Sequence, residues 1–123
     1  MAKLDDLLKE MGGEVTGYIT CALVGLDGIP VATHANPQME VPGSISAQMT
    51  TLLKMVQDSV DKLGAGEVED DLVTTEYTYI LMRYLPGRQY YLVLVTYRKT
   101  GNLGNMRLVS RNFTEKLSKA ITA

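Results

Sequence analysis

Residues 16–26 (TGYITCALVGL) and 89–97 (QYYLVLVTY) are apolar at odd and even positions alike and rich in β-branched or aromatic side chains. Successive side chains of a strand point to opposite faces, so a strand with one wetted face alternates. These two do not, and each reads as a central strand covered from both sides. A chain of 123 residues with 46% apolar content is expected to form one domain over residues 1–123, with a sheet held between two layers.

The clearest covering element is residues 44–63 (SISAQMTTLLKMVQDSVDKL). Ile45, Met49, Leu52, Val56, Val60 and Leu63 recur every three or four positions, which predicts one apolar face of a helix. Pro42 and Gly43 break the chain before it, Ser44 can cap its first free N–H groups, and Gly64 and Gly66 end it. At the helical rise this segment spans about 30 Å and can cross a whole sheet. Beside the predicted stripe lie Gln48, Met55 and Ser59 on one flank, Leu53 on the other, and Thr50, Lys54, Asp58 and Asp61 at the back. A methionine among short polar residues reads either as a rim residue or as part of a side-by-side contact with a second copy of the helix.

Residues 2–11 read as a short amphipathic helix through Leu4, Leu7, Leu8 and Met11, stopped at Gly12-Gly13. After the first strand, Asp27-Gly28 predicts a two-residue hairpin and residues 29–34 the returning strand, where Pro30 favours an edge. Residues 34–42 are a polar loop. Residues 67–75 and 77–85 are strands, and Leu85-Pro86-Gly87-Arg88 predicts a type II turn that pairs the second of them with residues 89–97. Residues 103–120 form a last helix, capped by Asn102, with Met106, Val109, Phe113, Leu117 and Ala120 inward and Arg107, Arg111, Lys116 and Lys119 outward.

The expected fold class is α+β: one five-stranded antiparallel sheet in the order 2-1-5-4-3, the long helix on one face and the two terminal helices on the other. That order leaves residues 67–75 on an edge. Glu67, Glu69, Asp70 and Asp71 blunt the edge, yet pairing with its own copy about Val73 sets most of them opposite Thr74, Thr75 and Tyr77.

A net charge of −2 and a pI of 5.3 count against nucleic acid or a membrane surface as partner. With no apolar run of spanning length, no leader, and a lone Cys21 that cannot form an intrachain disulfide, a cytoplasmic setting is expected. Cys21 shares strand parity with Ile19 and Leu23 and reads as a buried hydrophobe rather than a nucleophile. His34, the one histidine, cannot make a zinc site alone. Asp70 and Asp71 are consecutive on a strand, point to opposite faces and cannot act as a paired acid and base. Gly101-Asn102-Leu103-Gly104 follows a strand, whereas a glycine loop that clamps RNA needs a helix on both sides. No catalytic residue, metal site or cofactor is expected, and the chain reads as a non-enzyme.

Taken together, these elements resemble the roadblock (dynein light-chain) domain family. Residues 16–32, TGYITCALVGLDGIPVA, are similar to that family's opening hairpin, with Leu26-Asp27-Gly28-Ile29-Pro30 as its turn. Asn102-Leu103-Gly104-Asn105-Met106-Arg107 resembles its signature at the start of the last helix, and the likeness covers nearly the whole chain. It implies a dimer, with itself or a paralogue, formed by the long helix and the edge strand. It also implies a platform for a Ras-like small GTPase, either a scaffold or, in the bacterial and archaeal branch, an activating partner that contributes no catalytic residue of its own. Arg107 is carried over as structural, not as an arginine finger. The implied dimer contacts are Gln48, Met55, Ser59, Leu72, Val73 and Thr74, and the implied GTPase-facing set is Thr50, Lys54, Gln57, Asp58 and Asp61. Two other readings stay open: an assembly adaptor that touches no GTPase, and a small-molecule sensor, which needs a cavity with convergent polar groups.

Overall fold

The computed structural model describes residues 2–35 and 45–122. Helix α1 (Ala2–Glu14) leads into strands β1 (Tyr18–Gly25) and β2 (Pro30–Ala35). Helix α2 (Ile45–Leu63) follows, then β3 (Asp70–Thr74), β4 (Thr78–Tyr84), β5 (Tyr90–Tyr97) and helix α3 (Leu103–Thr122). The expected cap Ser44, the expected breakers Pro42 and Gly43, and residues 36–42 of the expected loop lie outside the described residues, while His34 and Ala35 belong to β2.

All strand pairs are antiparallel and the sheet order is β2-β1-β5-β4-β3. The two strands that are apolar on both parities, β1 and β5, sit side by side at its centre. Cys21 and Leu23, Leu92 and Leu94, and Leu81 face the layer made by α1 and α3. There they join Leu4, Leu8, Met11, Met106, Val109, Phe113 and Leu117 in one core. Val24, Tyr91 and Met82 point the other way and meet Leu53 of α2. Each large side chain fully buried in these clusters stabilises the fold by about 2–3 kcal/mol.

Local differences from the sequence expectation have identifiable causes. Helix α1 runs through Gly12-Gly13 instead of stopping there. A Cβ at Gly12 would come within 2.8 Å of the Tyr18 ring, so this glycine marks a close approach of helix to strand. The β1–β2 connection is one residue longer than the expected hairpin. Gly25 N–H donates to the Ile29 carbonyl, only Gly28 takes a positive φ, and Asp27 instead accepts the Ile29 N–H at 3.0 Å. Strand β3 starts at Asp70, not at Glu67, because both backbone polar groups of Val68 are bonded to side chains: its N–H to Gln57 and its carbonyl to Arg88. At the other end of the chain α3 follows its expected pattern. Asn102 Oδ1 caps it by accepting the Asn105 N–H at 2.8 Å, and Met106, Val109, Phe113, Leu117 and Ala120 are all buried.

Candidate functional site

The rotation of α2 about its own axis differs from the sequence expectation, and the difference decides what its surface offers. Leu52 and Leu63, expected in the core stripe, are 39% and 80% exposed, while Thr50 and Leu53 are buried. Burial of Thr50 is possible because its hydroxyl is satisfied. Thr50 Oγ1 lies 2.6 Å from the Tyr91 phenol oxygen, and both hydroxyls reach the Ser46 carbonyl, at 2.8 and 3.1 Å. A threonine fixed in this way can flank Leu53 on the core side. The helix therefore turns its second apolar arc outward.

Helix α2 has three sides. Thr50 and Leu53 face the sheet, with Met49, Val56 and Val60 half-buried beside them. Leu52, Met55 and Leu63, together with Gln48 and Ser59, form an exposed and largely apolar arc in which Met55 is 62% exposed. Lys54, Asp58 and Asp61 lie on the remaining, charged side and are exposed.

Of the five residues expected to face a GTPase, Thr50 and Gln57 are thus turned inward. Gln57 Oε1 accepts the Val68 N–H (3.0 Å) and an Arg88 guanidinium N–H (2.7 Å), and its Nε2 donates to Asp61 Oδ1 (2.7 Å). Gln57 is half-buried, and both ends of its amide are engaged within the chain. Its helical spacing alone could not separate it from Lys54 and Asp58.

Among the described residues, strand β3 pairs only with β4, which leaves it at the edge of the sheet. Leu72 and Val73 are half-buried and Thr74 is exposed along it. Asp70 anchors the strand from the α1/α3 side: its carboxylate accepts from Arg83 at 2.8 Å and from Arg107 at 3.4 Å. Arg107, expected to point outward, in fact reaches from α3 to this edge. Asp71 faces the opposite side, where its Oδ2 is buried without a hydrogen-bond partner among the described residues. Burial, and secondarily the charge of Asp70, push its carboxyl above the ordinary range.

Cys21 is buried and its thiol is pushed up to about 12 by burial, the opposite of what a nucleophile needs. His34 stacks on Tyr18, whose phenol oxygen lies 2.7 Å from Nδ1 and 2.9 Å from the His34 carbonyl. Among the described residues no group of three or more His, Cys, Asp or Glu is placed to hold a metal ion, and no helix is long and apolar enough to cross a membrane.

Two residues that spacing did not single out complete the framework. Asn105, in the signature at the start of α3, accepts the Thr16 N–H at 2.9 Å and donates to the Glu14 carbonyl at 3.1 Å, tying the α1–β1 junction to α3. Arg88, at the end of the β4–β5 turn, reaches both Gln57 and the Val68 carbonyl. The Pro-Gly turn predicts a bend there and carries no signal of what the arginine contacts.

No protein-family model matches the chain and no curated protein matches it. Solved structures do. An MglB structure described as having a tetrameric arrangement superposes with a TM-score of 0.85 at 19% identity, over 96% of this chain and 87% of that one. MglC from Myxococcus xanthus is 27% identical, with a TM-score of 0.64 over 94% of this chain and 96% of its own. A Roadblock/LC7 domain from Streptomyces avermitilis superposes with a TM-score of 0.84 at 15% identity, over 97% of this chain and 98% of its own. With its sheet in the order β2-β1-β5-β4-β3, the long helix across one face and the terminal helices on the other, this chain is built on the roadblock fold.

Proposed function

We propose that this chain is a non-enzymatic dimeric platform that binds and regulates a Ras-like small GTPase, pairing with itself or a paralogue through α2 and the β3 edge. The observation that carries this reading is the second apolar arc of α2. A helix covering a sheet needs one such arc, and here Leu52, Met55 and Leu63 form another that faces solvent. It lies on the helix that leads into an edge strand. Packing two copies of the arc side by side, with Gln48 and Ser59 at its flank, buries the apolar surface, and pairing β3 along Leu72, Val73 and Thr74 closes the edge. The tetrameric arrangement named for one MglB structure supports self-association of this fold.

The GTPase side of the reading rests on the family resemblance and on Lys54, Asp58 and Asp61, which are exposed together on one charged side of α2. Regulation requires that this face bind the GTP and GDP states with different affinity. In this reading the platform acts as a scaffold or rearranges the GTPase's own groups, in the cytoplasm and without a cofactor.

The test is capture of small GTPases from the source organism's lysate on immobilised protein, with a GTP analogue or GDP present. The wild type should retain a GTPase with one nucleotide in preference to the other, and Lys54→Glu combined with Asp58→Lys should abolish that retention. Unchanged binding by the double variant would show the charged face to be the wrong surface. Retention of partners regardless of nucleotide would favour the assembly adaptor.

A further inference from the structure

We infer that Arg88 is a positioning residue that locks α2 to the β3 edge, so that a second copy of this chain meets one preformed surface instead of two elements that move independently. The inference rests on the dimer reading above. Its starting point is a backbone outlier: Arg88 has a φ of 57°, the one non-glycine residue with positive φ among the described residues. A side chain is disfavoured in that conformation and persists where its surroundings over-determine it.

The surroundings here are specific. The Arg88 guanidinium lies 3.7 Å over the Tyr84 ring, donates to the Val68 carbonyl at 3.0 Å and to Gln57 Oε1 at 2.7 Å, and has the Glu67 carboxylate 3.7 Å away. Gln57 Oε1 also accepts the Val68 N–H at 3.0 Å, and Gln57 Nε2 reaches on to Asp61 at 2.7 Å. A single turn residue and a single helix residue thus hold both backbone polar groups of Val68, which stands just before β3.

Towards the core, α2 and β3 share the cluster in which Val73 packs with Leu53, and Val68 is buried; nearer the surface the bracket joins them. The connection between them carries Gly64 and Gly66, both with positive φ, and a Cβ at either would meet nothing within 4 Å. Leu53 is the last fully buried residue of α2, so the half of the helix that carries Met55, Ser59, Asp61 and Leu63 has no buried anchor beyond it. The Arg88–Gln57 bracket takes that place. A surface held ready in this way loses less conformational freedom when a partner binds.

Two substitutions test this. Arg88→Gly removes the bracket and suits the left-handed backbone, and Gln57→Leu removes it from the helix side while leaving the turn unchanged. Self-association is measured by sedimentation equilibrium, thermal unfolding at a concentration where the protein is monomeric, and amide exchange over residues 57–70. The wild type should dimerise. Each variant should raise the dimer Kd about tenfold and speed exchange over residues 57–70, and the double variant should be no weaker than either single one. The monomer melting temperature of Arg88→Gly should stay within about 4 °C of wild type, because relief of backbone strain offsets the lost hydrogen bonds. An unchanged Kd in both variants, with or without a loss of monomer stability, overturns the bracket and leaves the dimer standing. Additive losses in the double variant overturn it also. A wild type that stays monomeric at every concentration overturns the dimer reading and this inference with it.

Discussion

Helices α3 and α2 are of similar length and cover opposite faces of the same sheet, but they do so to different depths. Helix α3 buries Met106, Val109, Ser110, Phe113, Leu117 and Ala120 along one stripe, with α1 packed beside it. Helix α2 buries Thr50 and Leu53. On its outward side α3 shows Arg111, Lys116 and Lys119, with Leu108 as the one exposed large hydrophobic residue of the helix. The outward side of α2 carries the row Leu52, Met55 and Leu63. The contrast separates two kinds of helix. One spends its apolar residues on the fold, and the other keeps a second set for a contact outside the monomer.

The largest effect should come from the deeply packed side. Phe113→Ala is expected to cost about 4 kcal/mol in urea unfolding, since it empties a ring-sized volume among Met106, Val109 and Leu117. A loss below about 1 kcal/mol would mean that the α1/α3 layer is not the frame of the molecule.

Next comes the exposed arc. Met55→Asp should raise the dimer Kd about a hundredfold, which is ~2.7 kcal/mol, while leaving monomer unfolding within about 0.5 kcal/mol of wild type. Sedimentation and denaturant titration read the two quantities separately. If the monomer itself were destabilised, Met55 would belong to the core and the contrast between the helices would collapse.

The smallest effect sharpens the rotation of α2. Thr50→Val keeps the shape of the side chain but removes the hydroxyl between Tyr91 and the Ser46 carbonyl, and should cost about 1 kcal/mol. If Thr50→Lys were tolerated without loss in the same unfolding assay, Thr50 would face solvent, as its sequence spacing suggested.

These predictions also mark where sequence reasoning stops. The both-parity strands, the Pro-Gly turn and the single apolar stripe of α3 leave few solutions, and the simplest of them has the element order, sheet order and inward set of α3 that the structure shows. Helix α2 admits two. Ile45, Met49, Leu52, Val56, Val60 and Leu63 satisfy the helical period, and so does a stripe through Thr50 and Leu53 once a buried threonine has partners. Those partners, Tyr91 and the Ser46 carbonyl, come from a strand far along the chain and from the helix backbone itself. The inward turn of Gln57 likewise depends on Arg88 and Val68, and Arg107 reaches Asp70 only because α3 and β3 meet in space.

What this chain's sequence determines by itself is its layering, because alternation and helical period are local consequences of backbone geometry. Two strands apolar on both faces demand cover on both, and the turn residues leave few ways to connect them. Which arc of α2 is spent on that cover was decided only in the tertiary structure. Burial of a polar group is allowed or forbidden by hydrogen-bond partners that distant segments supply. Here Tyr91 supplies one to Thr50, and so it is Leu52, Met55 and Leu63 that are left facing outward.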